Sequence, residues 1–346
     1  MRLIKPYTES INLDLNNPNS ILKHIEVVGR NCYKSEEKIK DDSYIAFVKM
    51  LINRGHFAML EHNLIPIEIS GKWAHECYYS LQRLDAKLQK ETLDTYDVRF
   101  INFTSEQGKY IISANLRVFR DLYTFYPDNI FIQHITKHLC DNGYKIIFEG
   151  LDVDCLDLEE TISINFDIIK DTIKLTPMER LYHEFKSIRF VCDRGISHEL
   201  VRHRVAAFAQ ESTRFCNYGK GEHITFIIPS FTKLTEGIYH IEYGDYVNID
   251  NETPNDESAN AGRFVYSCYN AESNYNTFIK EGWIPGQARA VLPNSLKTDI
   301  IMTMNLRGWK HFFDMRLPQT AHEQMRELTI PLYEKEFKNL FENMKN

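Results

Sequence analysis

Apolar positions recur along this chain at helical spacing, broken by a few short runs with the character of strands. Ile45, Val48, Leu51 and Ile52 follow Asp42 and Ser43, which predicts a capped helix stopped by Gly55. Residues 64–69, 187–192 and 297–304 read as strands. Between the first two lie aromatic and apolar segments at 73–81, 110–126 and 130–139. Residues 113–123 read as a helix that buries Leu116, Phe119 and Leu122. This middle region is too hydrophobic and too periodic for a disordered linker. Asp152, Asp154, Asp157, Glu159 and Glu160 read as a solvated acidic loop. Residues 219–262 are polar and are expected to form exposed loops, above all 248–260. Residues 264–280 and 307–313 read as helices, and Pro318 ends the second. A terminal helix over 319–341 is expected to break near Pro331.

One stretch departs from ordinary amphipathic patterning: RHRVAAFAQESTR, Arg202 to Arg214. Asp193, Gly195 and Ser197 read as a turn and cap, with Ser197 at the N-cap of a helix. On that helix Val201, Val205 and Phe208 share one face, with Glu199, His203, Ala206 and Gln210 on the other. The polar face is short and rich in alanine, so a ligand can approach closely. Ser212 and Arg214 fall beyond it, on a loop or strand. Arginine presents a planar fork of donors suited to phosphate or carboxylate. Gln210 both donates and accepts, which suits an amide-like ring edge. Three readings stand side by side: a solvated basic face, a nucleic-acid contact, and a site for an anionic, ring-bearing small molecule. The net charge of −7 and the lack of a long basic run weigh against nucleic acid.

Composition narrows the class. With 346 residues, 43% apolar and 26% charged, the chain has enough core-forming material for one large domain or two. No run is long enough to span a bilayer, and MRLIKPYTES carries no apolar signal core. Seven scattered cysteines without CxxC spacing fit reduced thiols and a cytoplasmic setting. His198 and His203 stand five apart, about 140° around a helix, so they cannot form an HExxH metal pair. His56 and His62 lack a clear third ligand, and no metal is expected. There is no GxSxG elbow, P-loop or GxGxxG turn, and no cysteine with an evident partner base.

Arg202-His203-Arg204, seven residues, then Ser212 resembles the RHR…S signature of the flavin-dependent thymidylate synthases, the ThyX family. Ala209 to Phe215, AQESTRF, is also similar to family variants. Three further segments match in order. Gly29 to Ser35, GRNCYKS, resembles a flavin-contacting turn. Gly55 to His62, GHFAMLEH, resembles the GHxxxxEH segment. Ala288 to Pro293, Asn305-Leu306-Arg307 and Asp314-Met315-Arg316 resemble the C-terminal half. In the family the strands flanking GHxxxxEH and RHR are close in sequence, whereas here 139 residues lie between His62 and Arg202. Residues 70–182 are therefore read as a family-atypical, mainly helical insertion within a single catalytic domain, 1–346.

The resemblance implies an α+β core of mixed helices and an antiparallel-rich sheet. It implies reductive methylation of dUMP to dTMP, with carbon from methylenetetrahydrofolate and electrons from NADPH through FAD. Arg316 matches the arginine against the pyrimidine edge, where a fixed cation stabilises charge developing on the ring. Arg202, Ser212, Arg214 and Arg289 match dUMP-binding positions, and Glu199, Gln210, Glu211 and Thr213 fall in the same binding set. Cys32, His56, Glu61, Arg202, His203, Arg204, Asn305 and His311 match flavin-contacting positions. A homotetramer with shared active sites is implied, with no nucleic-acid or membrane partner. Departures from common family residues are Ala58, Glu199, Ala207 and His311. A flavoenzyme for another pyrimidine nucleotide, a catalytically silent assembly protein and a nucleic-acid-binding module stand as alternatives.

Overall fold

The computed structural model describes residues 1–344 except 16, 92–100, 107, 155, 157, 159–161, 243–244 and 251–257. Asp157, Glu159 and Glu160 of the acidic loop lie outside the described residues. Twelve strands are described: β1 Arg2–Ile4, β2 Tyr7–Ile11, β3 Ile65–Ser70, β4 Asn102–Glu106, β5 Lys109–Ala114, β6 Asn165–Ile168, β7 Phe185–Asp193, β8 Ala207–Gln210, β9 Thr225–Ile227, β10 Gly237–Glu242, β11 Asp245–Asn248 and β12 Lys297–Asn305. They form three four-stranded sheets, ordered β11-β10-β1-β9, β2-β7-β12-β8 and β4-β5-β3-β6. Every pairing is antiparallel except β1 with β9. The helices are α1 Pro18–Tyr33, α2 Ser43–Asn53, α3 Ala74–Glu91, α4 Leu116–Phe125, α5 Ile130–Leu139, α6 Pro177–His183, α7 Arg194–Leu200, α8 Ala259–Lys280, α9 Pro285–Ala288, α10 Leu306–Arg316, α11 Glu323–Leu332 and α12 Lys338–Asn343. The fold is α+β and antiparallel-rich. Among the described residues no helix is long and apolar enough to cross a membrane.

The central sheet is built on the long β7–β12 pair, aligned from Lys297↔Asp193 to Asn305↔Phe185. Its inward residues pack with Trp309, Phe312, Phe313 and Phe337 of the C-terminal helices. A second core joins α1, α2 and β3 to α3–α5 and the strands of the middle region. Residues 70–182 therefore share one core with the N-terminal elements. They are helical over α3–α6 and also add β4, β5 and β6, which pair onto or beside β3. The two strands flanking the GHxxxxEH and RHR segments, β3 and β7, belong to different sheets.

Several expected boundaries move for local reasons. The signature helix is short: Asp193, not Ser197, is the N-cap, its Oδ1 accepting from Ile196 N at 2.7 Å. The helix stops at Leu200, and Val205 turns the chain with φ of +64°. Residues 207–210 then join β12 as a strand, in register Thr303↔Ala207 to Ile300↔Gln210. The expected two-faced helix through Gln210 is therefore wrong. A buried antiparallel ladder outcompetes helical propensity, and A-F-A-Q alternates in the two-residue period of a strand. Residues 113–114 complete β5, and α4 starts after Asn115, whose Oδ1 accepts from Val118 N. The expected loops at 219–262 instead hold β9, β10 and β11 and the start of α8. Pro331 lies inside α11, and a π-turn at Tyr333–Phe337 follows it, two residues past the expected break. The other expected strands and helices form close to their expected bounds. Gly55 takes φ of +69° after α2, and a Cβ on Gly29 would lie 2.5 Å from the Phe47 ring, so Gly29 lets α1 and α2 pack closely.

Candidate active site

The RHR segment occupies the turn between α7 and β8. Arg202 and Arg204 point into solvent, while His203 is half-buried. Across from it the last residue of α10, Arg316, is locked in place. Its Nε donates to His203 Nε2 at 2.8 Å, Nη1 to Glu199 Oε2 at 2.6 Å, and Nη2 to the Glu199 carbonyl at 3.1 Å. His203 can accept only if Nε2 is unprotonated. Burial, Arg316 and His311 push its pKa down to about 4, so it is neutral near pH 7. The His311 ring is exposed, 6.4 Å from that of His203.

The next residues descend into the protein. Gln210 Nε2 donates to Ser197 Oγ at 2.8 Å and Thr298 Oγ1 at 3.1 Å. Glu211 is buried, with Oε2 at 3.3 Å from the Nζ of both Lys34 and Lys297. Ser212 N donates to the Cys32 carbonyl at 3.1 Å, tying the loop to the end of α1. The Cys32 thiol is pushed up to about 11, chiefly by burial, which leaves it protonated. Thr213 Oγ1 accepts from Arg289 Nη1 at 3.1 Å, and Arg214 lies over the Phe215 ring at 5.3 Å. A Cβ on Gly286 would stand 3.6 Å from the Arg214 carbonyl, so α9 packs against this loop.

The remaining candidates lie elsewhere. His56 is exposed, with Nδ1 3.5 Å from Tyr33 Oη. His56 and Cys32 line a cavity of about 670 Å³ with Tyr33, Phe57, Arg117 and Phe125. Glu61 is ion-paired with Arg117. Asn305 caps α10 by accepting from Gly308 N at 2.9 Å, and it shares a cleft of about 60 Å³ with Glu61 and Ala207. Hydrogen bonds thus gather the candidates into an Arg316–His203–Glu199 group and a Thr213–Arg289 group. Cys32 and His56 meet at the large cavity.

Charge compensation divides the arginines. Among the described residues, no carboxylate lies within 4.0 Å of Arg202, Arg204, Arg214 or Arg289. Arg30, Arg180 and Arg316 each have one, and Arg117 and Arg189 each have two. Guanidinium groups without a carboxylate partner are suited to an anion.

Sequence reading missed three features. Buried Asp299 and Glu211 are met by Lys34, Lys297 and Arg189, and the alternation Lys297-Thr298-Asp299 on a strand was the available signal. His24, Ser187, Thr303 and His62 form a buried chain of hydrogen bonds, with no local signal in the sequence. Arg117, the partner of Glu61, was visible only as half of an i,i+4 pair with Asp121. Among the described residues no cluster of three metal-ligating side chains occurs.

Fold and donors together define an α+β protein with an arginine-rich turn borne on an antiparallel sheet. Residues 153–341, more than half of the chain, match the family model described as thymidylate synthase complementing protein, and the chain belongs to that family. The GRNCYKS and GHFAMLEH segments lie outside the matched span. The chain is 33% identical over 145 residues to the flavin-dependent thymidylate synthase of Pyrococcus furiosus, covering 41% of this chain and 50% of that one. It is 31% identical over 139 residues to that of Geobacter sulfurreducens, covering 40% and 50%. The chain thus spans about half the length of the curated relatives it matches. Among solved structures it is similar to thymidylate synthase X of Helicobacter pylori with FAD and dUMP: 22% identity, 47% of this chain and 74% of that one, TM-score 0.32. It is also similar to the UMP/dUMP methylase PolB of Streptomyces cacaoi bound with 5-Br dUMP: 12% identity, 98% and 93%, TM-score 0.37.

Proposed function

We propose that this chain is a flavin-dependent thymidylate synthase that methylates dUMP reductively to dTMP, using methylenetetrahydrofolate and NADPH. The observation that carries the reading is Arg316, hydrogen-bonded to Glu199 and to His203 of the RHR turn, together with Arg202, Arg204, Arg214 and Arg289, which have no carboxylate partner among the described residues. Both the dUMP phosphate and the FAD pyrophosphate are anions that such groups can hold.

In this reading Arg214, Arg289, Ser212 and Thr213 take the nucleotide phosphate, and Arg202 adjoins both ligands. Gln210 and Glu211 brace the loop, one through Ser197 and Thr298, the other through the two lysines. Arg204, His203, His56, Glu61, Asn305, His311 and Cys32 face the flavin. The donor set fits that group: two guanidinium groups without counterions flank a neutral imidazole. Bound FAD supplies hydride-transfer chemistry. The protein's part is to orient the pyrimidine and to stabilise charge that develops on its ring. Arg316 does this as a cation whose geometry is fixed before substrate arrives, so no reorganisation is needed during reaction.

The family resemblance carries the homotetramer with shared sites, and apolar side chains are exposed where a second chain could dock. Val201, Val205 and Met315 are 42%, 53% and 57% exposed beside the RHR turn and Arg316. We further propose one catalytic domain over 1–346, with 70–182 an insertion, and a cytoplasmic setting for the six described free cysteines. The test is tritium release from C5-labelled dUMP with NADPH, FAD and methylenetetrahydrofolate. Release dependent on all three is expected. Folded, flavin-bound protein that releases none overturns the assignment.

A further inference from the structure

The segment carrying His56 and Glu61 is fastened along its length to α4, a helix of the middle region. Leu116 N, at the start of α4, donates to Asn63 Oδ1 at 3.0 Å, and Asn63 Nδ2 donates to the Leu60 carbonyl at 2.9 Å. The next residue, Arg117, pairs with Glu61 and lies 3.5 Å from Asp121. The Arg120 guanidinium sits over the Phe57 ring at 5.3 Å and donates to the Ile147 carbonyl at 2.6 Å. Three attachments, from Leu116, Arg117 and Arg120 of one helix, fix the 57–63 segment. The same helix closes the cavity of about 670 Å³, where Arg117, Asp121, Thr124 and Phe125 face Tyr33, His56 and Phe57.

We infer that α4 is a wall of the cofactor site and that Arg117 is a positioning residue for Glu61. The inference rests on the proposed flavin role of Cys32, His56 and Glu61. The cavity combines aromatic walls with fixed polar groups, which suits a planar heteroaromatic ring with polar edges. An arginine paired with the half-buried Glu61 holds that carboxylate in one rotamer. The middle region would thereby do more than pack against the core. It would complete a surface that the N-terminal segments alone leave open.

The experiment titrates FAD by flavin fluorescence into full-length wild type and three variants. Thr124→Trp puts a bulky ring into the cavity from an exposed position, so the fold is spared. Arg117→Ala removes the partner of Glu61, and Arg117→Lys restores its charge without the fork. Tenfold or greater weakening of FAD binding is expected for Thr124→Trp and Arg117→Ala, with Arg117→Lys intermediate. Calorimetric dUMP binding should stay within twofold for Thr124→Trp. Amides of α4 should gain hydrogen-exchange protection when FAD binds wild type. If wild type binds FAD and Thr124→Trp and Arg117→Ala bind it equally well, the inference falls and the proposed function stands. If wild type binds no FAD, the functional reading itself falls.

Discussion

Arg316 Nε donates to Nε2 of His203 at 2.8 Å, so the cation proposed to activate the substrate is oriented by a residue of the RHR turn. The bond joins the end of α10 to the signature segment 113 residues earlier. Arg316→Ala should lower turnover by about 100-fold or more, the usual scale for losing one preorganised charge-stabilising donor. The flavin absorbance spectrum should persist. Arg316→Lys should recover little, because an ammonium cannot satisfy His203 and Glu199 in the same plane. Unchanged turnover in Arg316→Ala removes this residue from its role.

Glu199 is the second anchor of that guanidinium. A hydrogen bond to a charged group contributes about 1.5–3 kcal/mol, so Glu199→Ala should reduce kcat roughly 10- to 100-fold. Glu199→Gln keeps an acceptor for Nη1 and should fall less. Equal effects of the two variants would show that the acceptor does not matter.

Arg214 has an aromatic contact but no carboxylate, and Arg289 hydrogen-bonds only neutral Thr213 among the described residues. Arg214→Ala and Arg289→Ala should each raise KM for dUMP about tenfold or more, with the larger effect at low ionic strength. A dUMP KM indifferent to both substitutions and to salt would detach these residues from the phosphate.

Two buried histidines make stability depend on pH. Burial lowers His24 to about 4 and His62 to about 3, against an ordinary value of 6.5. The folded state then binds fewer protons than the unfolded chain between those limits. Stability is full above pH 6.5 and falls as pH drops toward 4 and 3, by at most roughly 1.4 kcal/mol per pH unit for each histidine. Urea midpoints measured from pH 7 to pH 4.5 should decline, and His62→Asn should flatten the slope. A midpoint constant across that range contradicts the account.

Val205 adopts φ of +64° at an exposed position, a conformation costly for a β-branched residue. Val205→Asn should raise stability by about 1 kcal/mol, because asparagine tolerates this region. Chemical denaturation measures the change, and a loss of stability would mean the turn needs valine for another reason.

Much of the site's chemistry was legible because it is local. Arg202, His203, Arg204, Ser212 and Arg214 stand in one short run, and residue type alone marks them as anion-binding candidates. Helices α2, α8 and α10 and strand β12 announce themselves by the spacing of their apolar residues. The path of the RHR segment was not legible. A-F-A-Q fits either a helix or a strand, and its conformation follows from pairing with β12, about ninety residues away.

The sequence by itself determined which side chains are available and the positions of several helices and strands, since propensity, capping and hydrophobic period act over a few residues, while the α+β class came from the family resemblance of its motifs. Tertiary structure decided the rest. It bound Arg316 to His203 and Glu199, turned Glu211 inward onto Lys34 and Lys297, and set Arg117 against Glu61. Those outcomes depend on which charges are desolvated together and which are left facing water. That is settled only when distant segments pack, because burial fixes both the cost of an unpaired charge and the identity of its partner.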